Sequence, residues 1–132
     1  MAATHFDRVR AYARSKGVKV LRAGRSACLV RAERVIYVPK ALRGKQALWT
    51  LLHEIGHALV DDAGTHDRDV YVDVDAPSWL GRAFCVTEEW DAWGRGKKLA
   101  RQLGIPLDAN AYDNYAAAYV AGYVYQAATA PF

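Results

Sequence analysis

Hydrophobic residues recur at helical spacing in four segments of this chain, and they alternate with polar residues in a short region between the first two. Thr4 and Asp7 form a capping signal for the first helix. Gly17, Gly64 and Gly104 lie where the first three periodic segments end. The four predicted helices span about residues 4–16, 45–62, 84–103 and 108–128.

Three β-rich segments lie between the first and second helices, at Val18–Arg22, Ala27–Arg31 and Arg34–Val38. Because their spacing is tight, we expect an antiparallel meander. The sequence therefore predicts an α+β fold: an N-terminal helix, a three-stranded antiparallel sheet, and three further helices. A chain of 132 residues predicts a single domain, residues 1–132.

The second predicted helix carries His53-Glu54-Ile55-Gly56-His57. In a helix, residues four apart lie on one face, so both imidazoles can bind one metal ion with the carboxylate of Glu54 beside it. Apolar residues at helical spacing surround the motif and support a helix of the required length. The alternative interpretation is two solvent-facing or hydrogen-bonded histidines on an ordinary core helix.

A catalytic zinc site needs a third protein ligand in addition to the two histidines. The candidates are His66, Glu88, Glu89 and Asp91. Helical spacing puts Glu89 on the small and apolar face of the third helix and Glu88 on its polar side. A buried carboxylate needs a partner such as a divalent cation or an arginine, so Glu89 is favoured, while Glu88 and His66 stay open.

Three features together carry a resemblance to a known family: the strand RVIYVP, the helix LLHEIGHAL and the later helix EEWDAWGRGKKLARQLGI. Their order resembles the minimal gluzincin zinc metallopeptidases, and within these the ImmA/IrrE-like proteins of bacteria and phages. The resemblance implies that His53, His57 and Glu89 bind zinc and that Glu54 is the general acid/base. Glu88 beside Glu89 leaves the register of the family's glutamate motif open by one residue, and no helix-turn-helix module is expected within these residues.

The implied activity is zinc-dependent hydrolysis of peptide bonds in a protein or peptide substrate. Zinc would acidify water, and Glu54 would take the proton and return it to the leaving amine. We expect Arg34–Val38 to be the edge strand that pairs with substrate. Tyr112 or a neighbouring tyrosine is a candidate for stabilising the oxyanion. The stripe of Tyr112, Tyr115, Tyr119 and Tyr123 otherwise predicts core packing.

The net charge of +4 hides an asymmetry, since residues 1–49 carry +10 and residues 50–132 carry −6. The basic third could contact nucleic acid or an acidic protein, but its dispersed charges favour a solvated basic face. No signal peptide or membrane span is expected, which predicts a cytoplasmic protein, in the host cytoplasm if phage-encoded. Cys28 and Cys85 are expected to be buried thiols, without a disulfide.

The sequence also leaves two other functions open. One is a SprT-like, DNA-associated protease that uses His66 as its third ligand, although the spacing fits that family poorly. The other is a non-catalytic phage structural or interaction protein on a peptidase scaffold, against which the intact Glu54 argues. The acidic segment Asp61–Asp75 is expected to form a solvated flap, since it lacks the glycine and final glutamate of a calcium-binding EF-hand loop.

Overall fold

The computed structural model describes residues 3–64 and 79–129. These contain four α-helices and a small three-stranded sheet, in agreement with the predicted α+β class. In chain order they are α1 His5–Ser15, β1 Lys19–Leu21, β2 Cys28–Val30, β3 Val35–Tyr37, α2 Gly44–Ala63, α3 Trp79–Gln102 and α4 Ala109–Thr129.

The helix ends follow the local signals in the sequence. Thr4 caps α1 in a complete capping box, in which the Asp7 amide donates to its hydroxyl and the Asp7 carboxylate accepts from its amide. Gly64 ends α2 with φ 61°, a left-handed conformation that glycine adopts without a steric penalty. The Asp108 carboxylate accepts from the amide of Ala111 at the start of α4. The start of α3 differs clearly from the prediction, because the helix begins at Trp79, five residues before the predicted Phe84.

The sheet differs from the predicted antiparallel meander, because its strand order is β1-β3-β2 and it is mixed. β3 pairs antiparallel with β2 and parallel with β1. The connection between β1 and β2 runs through residues 22–27, which is long enough to carry the chain past one intervening strand. β3 is the strand with a fully buried residue, Ile36, and Val38 just beyond it is also fully buried. In the centre of the sheet, β3 is covered by a neighbouring strand on each side.

The central position of β3 also contradicts its predicted role as the edge strand that pairs with substrate. Both of its edges are already hydrogen-bonded to neighbouring strands. Burial alternates along the strand, since Ile36 and Val38 are buried while Val35 and Tyr37 are half-buried. Within the described residues, β2 pairs on one side only and is the edge strand nearer the candidate site.

α2 lies at the centre of the fold and is buried along most of its length. It packs against α1 and the sheet on one side and, most extensively, against α3 on the other. A Cβ on Gly56 would overlap the backbone carbonyl of Ala92, and one on Gly96 would lie 2.6 Å from the carbonyl oxygen of Leu52. Glycine at these positions therefore lets the two helix backbones touch, as the small residues of α3 had suggested.

Two expectations about side-chain burial were wrong in whole or in part. Cys28 and Cys85 are both exposed, Cys28 because it lies on the edge strand β2; neither forms a disulfide. The tyrosine stripe packs in the core over its first half, where Tyr112 is buried and the half-buried Tyr115 packs against Trp49. Tyr119 and Tyr123 are 46% and 39% exposed.

Some predictions concern residues outside those that the structure describes. His66 and the aspartates of the acidic segment beyond Gly64 are among them, whereas Asp61 and Asp62 belong to α2. None of the four helices has both the length and the apolar character needed to cross a lipid bilayer.

Candidate metal centre

His53 and His57 project from α2 towards α3, at the place where the two backbones are closest. Both are 6% exposed, which excludes the interpretation that they are solvent-facing. Their Nε2 atoms lie 3.1 Å apart. The helical spacing therefore brings the two imidazoles together as predicted.

Glu89 on α3 is the carboxylate that completes this group. Its Oε2 lies 2.8 Å from His53 Nε2, and its Oε1 lies 3.2 Å from His57 Nε2. Ligand atoms of the three residues lie within 4.8 Å of one another, so His53, His57 and Glu89 could hold a metal ion. Two imidazole nitrogens and a carboxylate form the kind of donor set that divalent zinc accepts.

Glu88 has a different position from the predicted one on the polar side of α3, because it is only 4% exposed. Its Oε2 lies 2.9 Å from His57 Nδ1 and 2.7 Å from an Nη2 of Arg31. The salt bridge to an arginine that was considered for Glu89 is thus made by Glu88. Arg31 offsets the desolvation of the Glu88 carboxylate, which explains how two consecutive glutamates can both face α2.

The His53 ring is held by an aromatic contact. It stacks on Trp93 of α3, with ring centroids 4.1 Å apart and planes 6° from parallel. Trp93 is fixed in turn by Tyr112, whose hydroxyl donates to the Trp93 carbonyl at 2.7 Å. Tyr112 is fully committed to this core contact, so it is not available to stabilise an oxyanion.

Glu54 is buried beside the metal-binding group, with Oε1 3.5 Å from His53 Nδ1. Burial raises the pKa of Glu54, while the neighbouring His53 and His57 oppose that shift. A carboxyl group with a raised pKa exchanges protons more readily near neutral pH. This is the property that a general acid/base requires.

In the metal-free protein, the pKa values of His57 and Glu89 shift in opposite directions. Burial alone would lower the pKa of His57, but hydrogen bonds with Glu88 and Glu89 outweigh it and raise the pKa to about 9. Burial alone would raise the pKa of Glu89, but hydrogen bonds with both histidines lower it to about 2. The Glu89 carboxylate therefore favours a positive charge beside it, which either protonated His57 or a metal ion can supply.

A cleft of about 360 Å³ opens onto His53 and Glu54. One wall is the chain leading into β2, which includes Ser26 and Ala27, and the opposite wall is formed by Tyr119 and Tyr123 of α4. The rest of the lining is mostly apolar and is contributed by Pro39, Ala41, Leu42 and Trp93, with Thr50 and Arg25 as additional polar groups.

Tyr123 is the tyrosine that faces the candidate metal centre. Burial and the charges of the nearby Glu89 and Glu54 carboxylates raise its pKa to about 12. The sequence predicted Tyr112 or a neighbouring tyrosine as the group that stabilises an oxyanion, without identifying which neighbour. The signal lay in helical spacing, since Tyr123 is on the same face of α4 but further towards its C-terminus.

Arg31 and Trp93 were missed as contributors to the site, and Glu88 was considered only as a metal ligand. Nothing in the local sequence marks Arg31, because its partner Glu88 lies on a helix far along the chain. Trp93 lies four residues after Glu89, and its place beside Glu89 on one helix face was a usable signal.

No family model, curated protein or solved structure is significantly similar to this chain.

Proposed function

We propose that this protein is a zinc-dependent metalloendopeptidase that hydrolyses peptide bonds in a protein substrate. The observation that carries the proposal is the convergence of His53, His57 and Glu89 beside an open cleft whose lining includes His53 and Glu54. A structural zinc site needs no neighbouring acid/base and no access to solvent. The site in this protein has both a neighbouring acid/base, Glu54, and access to solvent through the cleft.

The residues fit the proposed metal. Three protein ligands of the His, His and Glu types match a catalytic zinc site, which keeps one position for water or substrate. When bound, zinc would supply Lewis acidity, which acidifies water and polarises a carbonyl group. His53, His57 and Glu89 would hold it.

Glu54 is the proposed general acid/base. It lines the cleft next to His53, and burial raises its pKa. In the proposed reaction Glu54 accepts a proton from the attacking water and then donates it to the nitrogen of the leaving amine. The new C–O bond forms first, and the peptide C–N bond then breaks as the amine leaves with the proton from Glu54.

We propose that substrate binds along β2 in an extended conformation. β2 is an edge strand, and the residues leading into it line the cleft, so a peptide could add to the sheet there through backbone hydrogen bonds. Tyr123 faces the same space from α4 and would donate a hydrogen bond to the oxyanion that develops on the substrate carbonyl.

The test is cleavage of unfolded protein by the zinc-loaded protein, with fluorescently labelled denatured casein as the probe. Glu54→Gln should bind zinc normally but lose about 10²- to 10⁴-fold in cleavage rate, the contribution expected of a general acid/base. His53→Ala should lose both zinc and activity. Glu33→Gln is the matched control, because Glu33 is exposed and does not line the cleft.

Cleavage that persists in Glu54→Gln would contradict the proposed mechanism. Zinc binding without cleavage of casein or of a mixed peptide library would favour a non-catalytic role for the site. Loss of zinc in His66→Ala with full retention in Glu89→Ala would instead favour the DNA-associated protease.

A further inference from the structure

Both ring nitrogens of His57 have carboxylate neighbours, and these come from consecutive residues of α3. Nε2 lies 3.2 Å from Glu89 Oε1 on the side of the candidate metal centre. Nδ1 lies 2.9 Å from Glu88 Oε2 on the opposite side. An imidazole that binds a metal through Nε2 carries its proton on Nδ1, and that N–H needs an acceptor. Glu88 is that acceptor.

Glu88 is itself held in place by Arg31. An Nη2 of Arg31 donates to the same Glu88 oxygen at 2.7 Å, and Nε of Arg31 donates to Asp61 Oδ2 at 2.8 Å. Asp61 lies near the end of α2 and Arg31 directly follows β2. The guanidinium therefore joins the edge of the sheet to both helices that carry the metal-binding group.

Among the residues that the structure describes, none gives the other histidine an equivalent hydrogen bond. His53 is oriented by stacking on Trp93, and the nearest carboxylate oxygen to its Nδ1 is 3.5 Å away, on Glu54. The two proposed ligands are thus held by different means. Only His57 depends on a charged acceptor for its ring orientation and tautomer.

We propose that Glu88 and Arg31 are positioning residues that fix His57 as a metal ligand and thereby set the metal affinity of the site. Neither residue touches the metal or the substrate. Glu88 orients the imidazole and holds its proton on Nδ1, while Arg31 orients Glu88 and balances its buried charge. This inference rests on the proposed metal site.

The experiment measures the affinity of the purified full chain for Zn²⁺ by competition with a chromophoric chelator. Glu88→Gln should bind Zn²⁺ about 10- to 100-fold more weakly than the wild type, the usual effect of removing such a hydrogen-bonding partner. Arg31→Met should weaken binding by a smaller factor. Because Arg31 is inferred to act through Glu88, the double variant should bind no more weakly than Glu88→Gln alone.

A second readout separates positioning from general stability. The visible absorption spectrum of Co²⁺ bound in place of Zn²⁺ reports the coordination geometry, and it should change in Glu88→Gln. The matched control is Asp91→Asn on the same helix, because Asp91 pairs with Arg95 at the surface. It should keep both the spectrum and, within about twofold, the affinity. Arg31→Lys is the variant to use if Glu88→Gln does not fold. It keeps the positive charge but offers one donor nitrogen where arginine uses two, so it should weaken Zn²⁺ binding severalfold.

The outcomes distinguish this inference from the proposed function. If the wild type binds Zn²⁺ tightly and Glu88→Gln matches it, the positioning role is overturned while the metal site stands. If Arg31→Met and Glu88→Gln have additive effects, the role of Arg31 through Glu88 is overturned. If the wild type binds no more Zn²⁺ than His53→Ala, both the metal site and this inference fall.

Discussion

Gly56 on α2 packs directly against the backbone carbonyl of Ala92 on α3, with no space for a Cβ between them. This contact lies next to His57 on one helix and close to Glu89 on the other. The separation of the two helices, and hence the meeting of the proposed ligands, depends on it.

Replacing Gly56 by alanine should therefore destabilise the protein, although alanine is the better helix former. We expect Gly56→Ala to lower the free energy of unfolding by about 1–3 kcal/mol, as overpacking does, and to weaken Zn²⁺ binding. Urea denaturation measures the first effect. Gly94→Ala on α3 is the control, since an added Cβ there meets nothing within 4 Å, and it should stabilise the protein by up to about 1 kcal/mol. Equal effects of the two substitutions would contradict the close helix contact.

Tyr123→Phe should reduce catalysis with little change in stability. The hydroxyl faces Glu89 and Glu54, but the side chain is 39% exposed, so its loss leaves the core intact. We expect kcat to fall about 100-fold, the lower end of the range for removing an oxyanion donor, while KM changes little. Tyr125→Phe, at a residue that is 70% exposed, should leave both constants unchanged. A Tyr123→Phe variant with normal kcat would remove Tyr123 from the mechanism.

Zn²⁺ should stabilise the folded protein in a way that depends on Glu89. A ligand present at 100 times its dissociation constant raises the free energy of unfolding by about 2.7 kcal/mol. We therefore expect Zn²⁺ to raise the Tm of the wild type by several degrees, and a chelator to reverse the change. Glu89→Gln should lose most of this shift, whereas Asp91→Asn should retain it. A full Zn²⁺ shift in Glu89→Gln would show that another residue supplies the third ligand.

The metal-free protein should show a distinctive pH dependence, because the pKa values of His57 and Glu89 move apart. The pKa of Glu89 is lowered to about 2, so its stabilising effect is present above pH 4.5 and is lost as the pH falls towards 2. The pKa of His57 is raised to about 9, so its effect is present below pH 6.5 and is lost as the pH rises towards 9.

The stabilisation from this pair should accordingly be greatest between about pH 4.5 and 6.5. Urea denaturation of the metal-free wild type and Glu89→Gln at pH values from about 2 to about 9 gives the measurement. The difference in unfolding free energy between the two should shrink on both sides of the window. A difference that stays constant from pH 2 to 9 would mean that the His57–Glu89 interaction does not depend on charge.

The helices and most of their ends, except the start of α3, were predictable from the sequence, because they depend on interactions within a few residues. The capping box of Thr4 and the left-handed Gly64 are local features. The shared face of His53 and His57 is also local, since helix geometry alone brings residues four apart together. The apolar face of α3 likewise indicated Glu89 as the carboxylate directed towards α2.

Only the tertiary structure decided the strand order and the role of Glu88. β3 lies between β1 and β2 because its buried Ile36 is best covered there, a choice among long-range pairings that local spacing does not encode. Glu88 is buried because Arg31, 57 residues earlier in the chain, reaches its carboxylate. Periodicity can identify the apolar face of a helix, but it cannot show which distant charge allows a polar residue to be buried beside that face.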